Sequence, residues 1–252
     1  MNKSAGILMI VIIAFSCKSE QSSLKSDLEL ANLKGNVWKI DRTFHDANGK
    51  CACPAATKTE CNQSQYVYDK NGNLTESYTI DENGTINVST KYIYNRRGVC
   101  SEIDKYSGEK LAGKEVPVLN GAKVTGYKIY NENGINETTL DYEYSGDEIS
   151  EEKTLNNTGE VISSVKNEFI NGQLVSQTEK DNNGEVKTIT RYKRNDNNDI
   201  VEYLISVPKD NMEYTIKYEY EYDSTGNWVK QTQLYKGKIV SIILRNIEYF
   251  NS

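Results

Sequence analysis

Residues 212–222 read MEYTIKYEYEY, and this stretch determines which fold the sequence predicts. Apolar and aromatic side chains alternate in it with polar or charged ones. The first set is Met212, Tyr214, Ile216, Tyr218, Tyr220 and Tyr222, and the second includes Glu213, Lys217, Glu219 and Glu221. A period of two residues with one polar face is typical of an antiparallel strand that is buried on one side. The stretch therefore predicts a strand, and residues 224–227, which follow it closely, predict a turn.

The same unit of strand and turn recurs along the chain. Residues 86–94 repeat the alternation, and turn sequences such as Asn183-Gly184 follow one another at intervals of about 12–13 residues. Asn-Gly accepts the positive φ angles that tight hairpin turns need. Gly134, Gly159 and Gly184 keep a period of 25 residues, which is the expected length of two strands with their turns.

We therefore expect an all-β protein, an antiparallel meander of roughly 14–16 strands in one rolled or strongly twisted sheet, such as a half-open barrel. The alternative is a two-sheet β-sandwich. Either form has edge strands, and Lys128, Lys217 and Lys230 are expected to protect them with charge. At most one short helix is expected, within residues 24–33, because no longer helical apolar stripe occurs in the mature chain.

Two of the units contain a recognisable motif. Residues 66–74 read YVYDKNGNL and residues 220–228 read YEYDSTGNW, so both contain Tyr-Asp-x-x-Gly-Asn. This core resembles the YD, or RHS-type, repeat, a tyrosine-rich β-hairpin. The arrangement over residues 33–252 resembles hypothetical lipoproteins of Bacteroidota that contain degenerate copies of the repeat. The resemblance implies a β-scaffold of surface or envelope proteins with no assigned catalytic residues.

The N-terminus predicts a targeting signal. Residues 1–17 read MNKSAGILMIVIIAFSC, in which Lys3 precedes an apolar run that is too short to cross a bilayer as a helix. Small residues leading into Cys17 resemble a bacterial lipobox, and an ordinary secretory signal is the alternative. The lipobox resemblance implies a signal peptide at 1–16 and a palmitate-type lipid on Cys17. The polar residues that follow predict a flexible tether at 17–32, and the YD-like repeat domain is expected at 33–252. The expected location is the outer membrane, with the protein facing the periplasm or exposed at the cell surface.

Four further cysteines predict disulfide bonds. They are Cys51, Cys53, Cys61 and Cys100, and the first three lie in a predicted loop at 45–64. An even number of cysteines in an oxidising envelope indicates two disulfides. Cys51 and Cys53 are too close in an extended segment to pair comfortably, so each is expected to pair with Cys61 or Cys100. The alternatives are a zinc site of His45, Cys51, Cys53 and Cys61, and free or mixed thiols.

Composition excludes several classes of function. The net charge is −6 and the isoelectric point is about 5.1, whereas a nucleic-acid-binding protein needs a basic surface. A single histidine, His45, leaves little scope for histidine-based catalysis or for a site with several histidine ligands. Phosphate-loop, nucleophile-elbow and zinc-protease motifs are absent from the sequence. We therefore expect no catalytic residues, no metal and no cofactor.

Two functions compete. The first is a non-catalytic binding or scaffold module for a glycan, a peptide or an envelope protein, anchored to the membrane by lipid. Its candidate ligand platform is Tyr214, Tyr218, Tyr220 and Tyr222, rings that could instead pack in the core. The second is a hydrolase of envelope or extracellular polysaccharide, which needs two carboxylates about 5–10 Å apart. Its candidates are Glu148, Glu151 and Glu152 and, on one strand face, Glu213, Glu219 and Glu221, although a solvated face is the favoured interpretation of these carboxylates. The first function is favoured, so the protein is predicted not to be an enzyme.

Overall fold

A computed structural model describes residues 26–47, 63–81, 84–96, 98–121 and 123–251. These residues form one short helix, α1 (Asp27–Leu30), and sixteen strands. The strands are β1 (Val37–Asp46), β2 (Gln63–Tyr68), β3 (Leu74–Ile80), β4 (Ile86–Tyr94), β5 (Cys100–Ser107), β6 (Lys110–Asn120), β7 (Lys123–Asn131), β8 (Asn136–Ser145), β9 (Glu148–Asn156), β10 (Val161–Ile170), β11 (Gln173–Asp181), β12 (Val186–Arg194), β13 (Ile200–Val207), β14 (Met212–Tyr222), β15 (Trp228–Tyr235) and β16 (Lys238–Tyr249). A single 3₁₀ turn at Pro208–Asp210 joins β13 to β14.

The strands form a closed antiparallel barrel in which each strand pairs with the next one in the chain. The first and last strands close the ring, in a register that runs from Lys39 opposite Glu248 to Asp46 opposite Ser241. This closure confirms the all-β antiparallel meander. It shows that the rolled open sheet, the half-open barrel and the β-sandwich were wrong, because each of those forms leaves β1 and β16 unpaired with each other.

The prediction that charge protects exposed edges was also wrong. Lys128 lies on β7, Lys217 on β14 and Lys230 on β15, and each of these strands has a partner on both sides. A closed barrel satisfies the backbone groups of every strand in the ring, so these lysines have no edge to protect.

Eight turns of the described residues share one five-residue geometry. They begin at Asp69, Asp81, Asn95, Asn131, Asn156, Asp181, Asn195 and Asp223. In each, the first side chain accepts a hydrogen bond from the amide four residues later, as between Asp223 Oδ1 and the amide of Asn227 at 2.9 Å. The fourth residue has a positive φ, which is +86° at Gly226, so glycine is favoured there. This shared geometry explains why Asp or Asn and Gly recur at fixed spacing.

The turns divide between the two ends of the barrel. Even-numbered strands finish at one end, which we call the capped end, and odd-numbered strands finish at the other, the far end. The turns that contain Gly134, Gly159 and Gly184 all lie at the far end, so the 25-residue period is one complete passage up and down the barrel.

Residues 26–36, which we call the cap, close over part of the capped end. α1 begins with Ser26, whose side chain accepts from the amide of Glu29 in a capping box. Leu28 and Leu33 are buried against Ile40, Tyr68 and Leu74, on the inner side of the strands. The predicted short helix within residues 24–33 is thus present, and residues 26–32 of the segment predicted as a tether lie against the barrel.

Hydrogen bonds join the cap to turns on both sides of the barrel mouth. Asp27 Oδ2 accepts from the Leu74 amide at 2.8 Å and from the Tyr94 hydroxyl at 2.7 Å. On the other side, Asn32 Nδ2 donates to the Asn197 carbonyl at 2.8 Å. The Asn227 side chain accepts from the amide of Lys34 and donates to its carbonyl, each at 2.8 Å. The cap therefore lies as a bridge across the end of the barrel.

No helix of the described residues is both long enough and apolar enough to cross a membrane.

Candidate binding site in the barrel interior

The two faces of β14 differ in exposure. Tyr214, Tyr218, Tyr220 and Tyr222 are half-buried, whereas the intervening charged residues are exposed. The tyrosine face points into the barrel, because Tyr220 packs on the buried Trp228 ring at a centroid distance of 5.8 Å. All four candidate platform tyrosines therefore lie on the inner face.

Three tyrosines from adjacent strands form a ladder across the inner face. Tyr192, Tyr203 and Tyr218 are contributed by β12, β13 and β14. Ring centroids are 5.2 Å apart between the first two and 5.3 Å apart between the last two, with interplanar angles of 73° and 76°. These edge-to-face contacts are the preferred arrangement of aromatic pairs. We call this set the tyrosine ladder, and it fixes three ring edges side by side in the interior.

Hydroxyl groups of the ladder are available for hydrogen bonding. No hydrogen bond joins the hydroxyl of Tyr203 or of Tyr218 to another described residue, and both residues are half-buried. Burial of the rings raises the pKa of both residues, so the hydroxyls stay protonated and can donate as well as accept. Amide side chains also lie on the inner face. For example, Gln231 Nε2 donates a hydrogen bond to the Tyr220 hydroxyl at 2.9 Å.

The candidate carboxylates do not form one cluster. Glu213, Glu219 and Glu221 are exposed and lie on the outer face of β14. Glu151 also points outward, where it lies 3.8 Å from Lys153. Glu152 points inward opposite Tyr142, and burial raises its pKa. Glu148, at the start of β9, pairs with Ser145 beside the tight turn at 146–147.

Most of the predicted cysteine chemistry falls outside the described residues. Cys17, Cys51, Cys53 and Cys61 all do, so lipidation, the disulfides and the zinc alternative stay predictions. Cys100 is buried at the start of β5, in a cluster with Ile103, Val124, Tyr127 and Tyr142. It lies at the capped end, whereas Asp46 and Gln63, the nearest described strand residues on either side of Cys51, Cys53 and Cys61, lie at the far end. Within the described ranges, no group of three or more His, Cys, Asp or Glu side chains is placed to hold a metal ion.

Sequence reasoning missed several residues of the interior. Tyr203 lies in IVEYLISV, where apolar residues occupy both faces, so no alternation assigned it to a side. Arg42 and Arg245 also point inward, which no pattern of hydrophobic residues could indicate. Thr190, Tyr192 and Arg194 alternate with the charged residues Arg191 and Lys193, and this pattern alone could have assigned Tyr192 to the inner face.

Comparison with known proteins finds similarity in fold. No family model matches the chain, and no curated protein sequence matches it. Among solved structures, a porin-like protein from Bacteroides uniformis has a TM-score of 0.59 at 12% identity, covering 85% of this chain and 98% of that one. A second porin-like protein, from Bacteroides vulgatus, has a TM-score of 0.43 at 15% identity, covering 86% of this chain and 99% of that one. The chain thus has the β-barrel fold of a porin-like protein.

Proposed function

We propose that the chain is a lipid-anchored protein of the cell envelope whose barrel interior binds a glycan without transforming it. The observation that supports this most strongly is the tyrosine ladder on the inner face, in which the hydroxyls of Tyr203 and Tyr218 have no described hydrogen-bond partner. Tyrosine offers an apolar ring that can stack on the C–H face of a sugar and a polar edge that can bond its hydroxyls. A peptide or an envelope protein is the alternative ligand.

The outer face supports an anchor made of lipid. Charged side chains point outward near the middle of several strands, among them Asp141, Lys153, Lys166 and Lys217. A lysine that faces lipid at the middle of a bilayer costs about 2–4 kcal/mol, and several around one barrel would add up to a prohibitive cost. We therefore propose that acyl chains on Cys17 hold the protein at the membrane and that the strands do not cross it.

Such an anchor would also set the orientation of the barrel. The cap begins at Ser26, nine residues after Cys17, and nine extended residues span at most about 30 Å. The capped end would then lie next to the bilayer and the far end would face away from it.

Labelling with an alkyne fatty acid tests the anchor. Wild type is expected to incorporate the label and Cys17→Ala to lose it, with the protein released from the membrane fraction. The chain from residue 18 onward is expected to stay in solution without detergent, since its outer face is charged. Absence of label in wild type, or a requirement for detergent after removal of residues 1–17, would contradict the proposal.

A glycan array tests the binding role. Wild type is expected to retain at least one saccharide, and Tyr218→Ala to weaken its binding by about tenfold, the equivalent of one stacked ring. Lys217→Ala is the matched control, because its side chain is the outward neighbour on the same strand. Equal losses in the two variants would show that the inner face is not the binding surface.

One observation favours the hydrolase as a second candidate. Glu152 and Glu179 both lie opposite Val165, on strands that flank it, so their backbones are about 10 Å apart on the inner face. The raised pKa of Glu152 suits a proton donor, and inverting glycosidases separate their two carboxyl groups by about 6.5–9.5 Å. Release of reducing ends by wild type, and its loss in Glu152→Gln, would establish this function. If wild type releases no product from saccharides that it binds, the hydrolase is excluded for them.

A further inference from the structure

Two arginines lie side by side inside the barrel. Arg42 on β1 and Arg245 on β16 are direct partners in the strand register, on the pair of strands that closes the ring. Directly opposed residues have Cβ atoms about 4.5–5.5 Å apart, so the two positive charges repel each other. Burial and the neighbouring Arg42 lower the pKa of Arg245 to about 9.

Neither arginine has a carboxylate partner. No described acidic side chain forms an ion pair with Arg42 or Arg245, and the Nε atom of each is buried without a hydrogen-bond partner. Arg42 donates one bond, from a terminal nitrogen to the Tyr66 hydroxyl at 3.3 Å. Asp199 influences Arg245 through its charge without contacting it. A buried charge is normally paired, so this pair lacks the counter-ion that its position requires.

Aromatic rings lie beside both guanidinium groups, and the Trp228 ring stacks on that of Arg245. The centre of the Arg245 guanidinium lies 3.2 Å from the centroid of Trp228, and that of Arg42 lies 5.7 Å from the centroid of Tyr66. A stacked guanidinium keeps its N–H groups in its own plane, free to bind a carboxylate or phosphate with two parallel hydrogen bonds. The Nε atom of each is buried, but each residue as a whole keeps some exposure, so part of each side chain is open to the interior.

We propose that Arg42 and Arg245 bind an oxyanion, a carboxylate or a phosphate, that belongs to a saccharide held inside the barrel. This inference rests on the proposed glycan-binding role of the interior and names the charge of the ligand. An acidic sugar would place its anionic group against the two guanidinium groups, and the half-buried Tyr66 ring would contact its remaining surface.

Fluorescence of Trp228 provides the test, because its ring lies directly beneath Arg245. The chain has two tryptophans, so the full-length lipid-anchored protein with Trp38→Phe reports on Trp228 alone. Titrations would use galacturonate oligosaccharides, glucose 6-phosphate, inorganic phosphate and the neutral maltotetraose. A saturable change with an acidic saccharide is expected, and the galacturonate and sugar-phosphate titrations show which anion is preferred.

Substitutions separate a binding role from a structural one. Arg245→Met is expected to weaken binding of the acidic saccharide at least tenfold and to raise the melting temperature of the free protein, because it removes a buried like-charge repulsion. Arg42→Met is expected to have the same two effects. It serves as the test variant if Arg245→Met does not fold. Arg245→Lys is expected to recover part of the binding. Arg191→Met, on the exposed outer face of β12, is the control and is expected to change neither property.

Unchanged binding in both methionine variants would overturn the proposal, as would lower melting temperatures in both, since the pair would then be structural. Absence of any response to the three anions would also overturn it. The glycan array tests the proposed glycan-binding role independently of this result. If wild type binds a neutral saccharide there and Tyr218→Ala weakens that binding, the glycan-binding role stands although the anion site does not.

Discussion

The turns that begin at Asp223 and Asp181 have the same backbone and different surroundings. Each carboxylate accepts the amides two and four residues later, and each turn has a glycine at positive φ. At the capped end, Asn227 in the fifth position is 1% exposed and bonds to the cap. At the far end, the equivalent Glu185 is exposed. The turn geometry is therefore local, and its contribution to stability depends on what packs against it.

Asn227→Ala is expected to produce the largest difference between the two turns. It removes the two hydrogen bonds of the buried Asn227 side chain to the Lys34 backbone and a third to the Tyr249 hydroxyl, which together should lower the free energy of unfolding by about 3 kcal/mol. Glu185→Ala, at the same turn position, should change it by less than about 0.5 kcal/mol. Urea unfolding at pH 7 measures both. Equal losses would mean that the cap adds nothing to the turn that it contacts.

Two glycines isolate the contact between α1 and the barrel. Gly72 and Gly184 have φ angles of +79° and +80°, but a Cβ at Gly72 would lie 2.9 Å from the Ser26 Cβ, whereas nothing lies within 4 Å of one at Gly184. Alanine at either position is strained by the positive φ, which should lower the free energy of unfolding by about 1–2 kcal/mol. Gly72→Ala should cost about 1 kcal/mol more than Gly184→Ala and should make the cap more sensitive to protease. A cap that stays equally protected in both variants would contradict a close fit at this turn.

Asp223→Asn is expected to have a smaller effect that depends on pH. Burial alone would raise the pKa of Asp223, but hydrogen bonds from the Tyr249 hydroxyl, at 2.5 Å, and from the turn amides hold it below its ordinary value of 3.8. A lowered folded-state pKa stabilises the fold above the unfolded-state pKa, and this stabilisation is lost as the pH falls through the folded-state value. The substitution should therefore cost about 1 kcal/mol at pH 7 and less as the pH is lowered below 3.8.

Asp181→Asn is the control, because asparagine starts four of the eight turns and can accept the same amide bonds. Its cost should stay within about 0.5 kcal/mol at pH 7. Stability curves against pH for the two variants and wild type compare them directly. A cost of Asp223→Asn that stays constant down to pH 3 would exclude the carboxylate as its source.

Strands and turns were predictable from the sequence because their determinants are local. Alternation over residues 212–222 predicted β14 and its inner face correctly, and the recurring glycines predicted turns where they occur. Closure was not predictable, because it depends on the pairing of β1 with β16, whose residues are about 200 positions apart. No local pattern distinguishes a first strand that meets the last one from a first strand that forms an edge.

The interior was only partly predictable for a related reason. Period-two alternation indicates which side chains share a face, and it grouped the β14 tyrosines correctly. It could not show that Tyr192 and Tyr203 lie beside Tyr218, because that requires the register between three strands. The two arginines on the inner face break the hydrophobic pattern that the prediction relied on, so sequence reasoning gave them no role.

The pairing of β1 with β16 also restricts how such a chain can change in size. The start of β1 and the end of β16 both lie at the capped end, where the Phe250 amide donates to the Asn36 carbonyl at 2.9 Å. A chain with one more strand after β16 would end at the far end, and its last strand would lie parallel to β1. A chain with two more strands would end at the capped end, and its last strand would pair antiparallel with β1 as β16 does. The barrel can therefore widen or narrow only in steps of a whole hairpin, roughly 25 residues and roughly 10 Å of circumference each. The width of the barrel interior can therefore take only discrete values, each set by the number of hairpins in the chain.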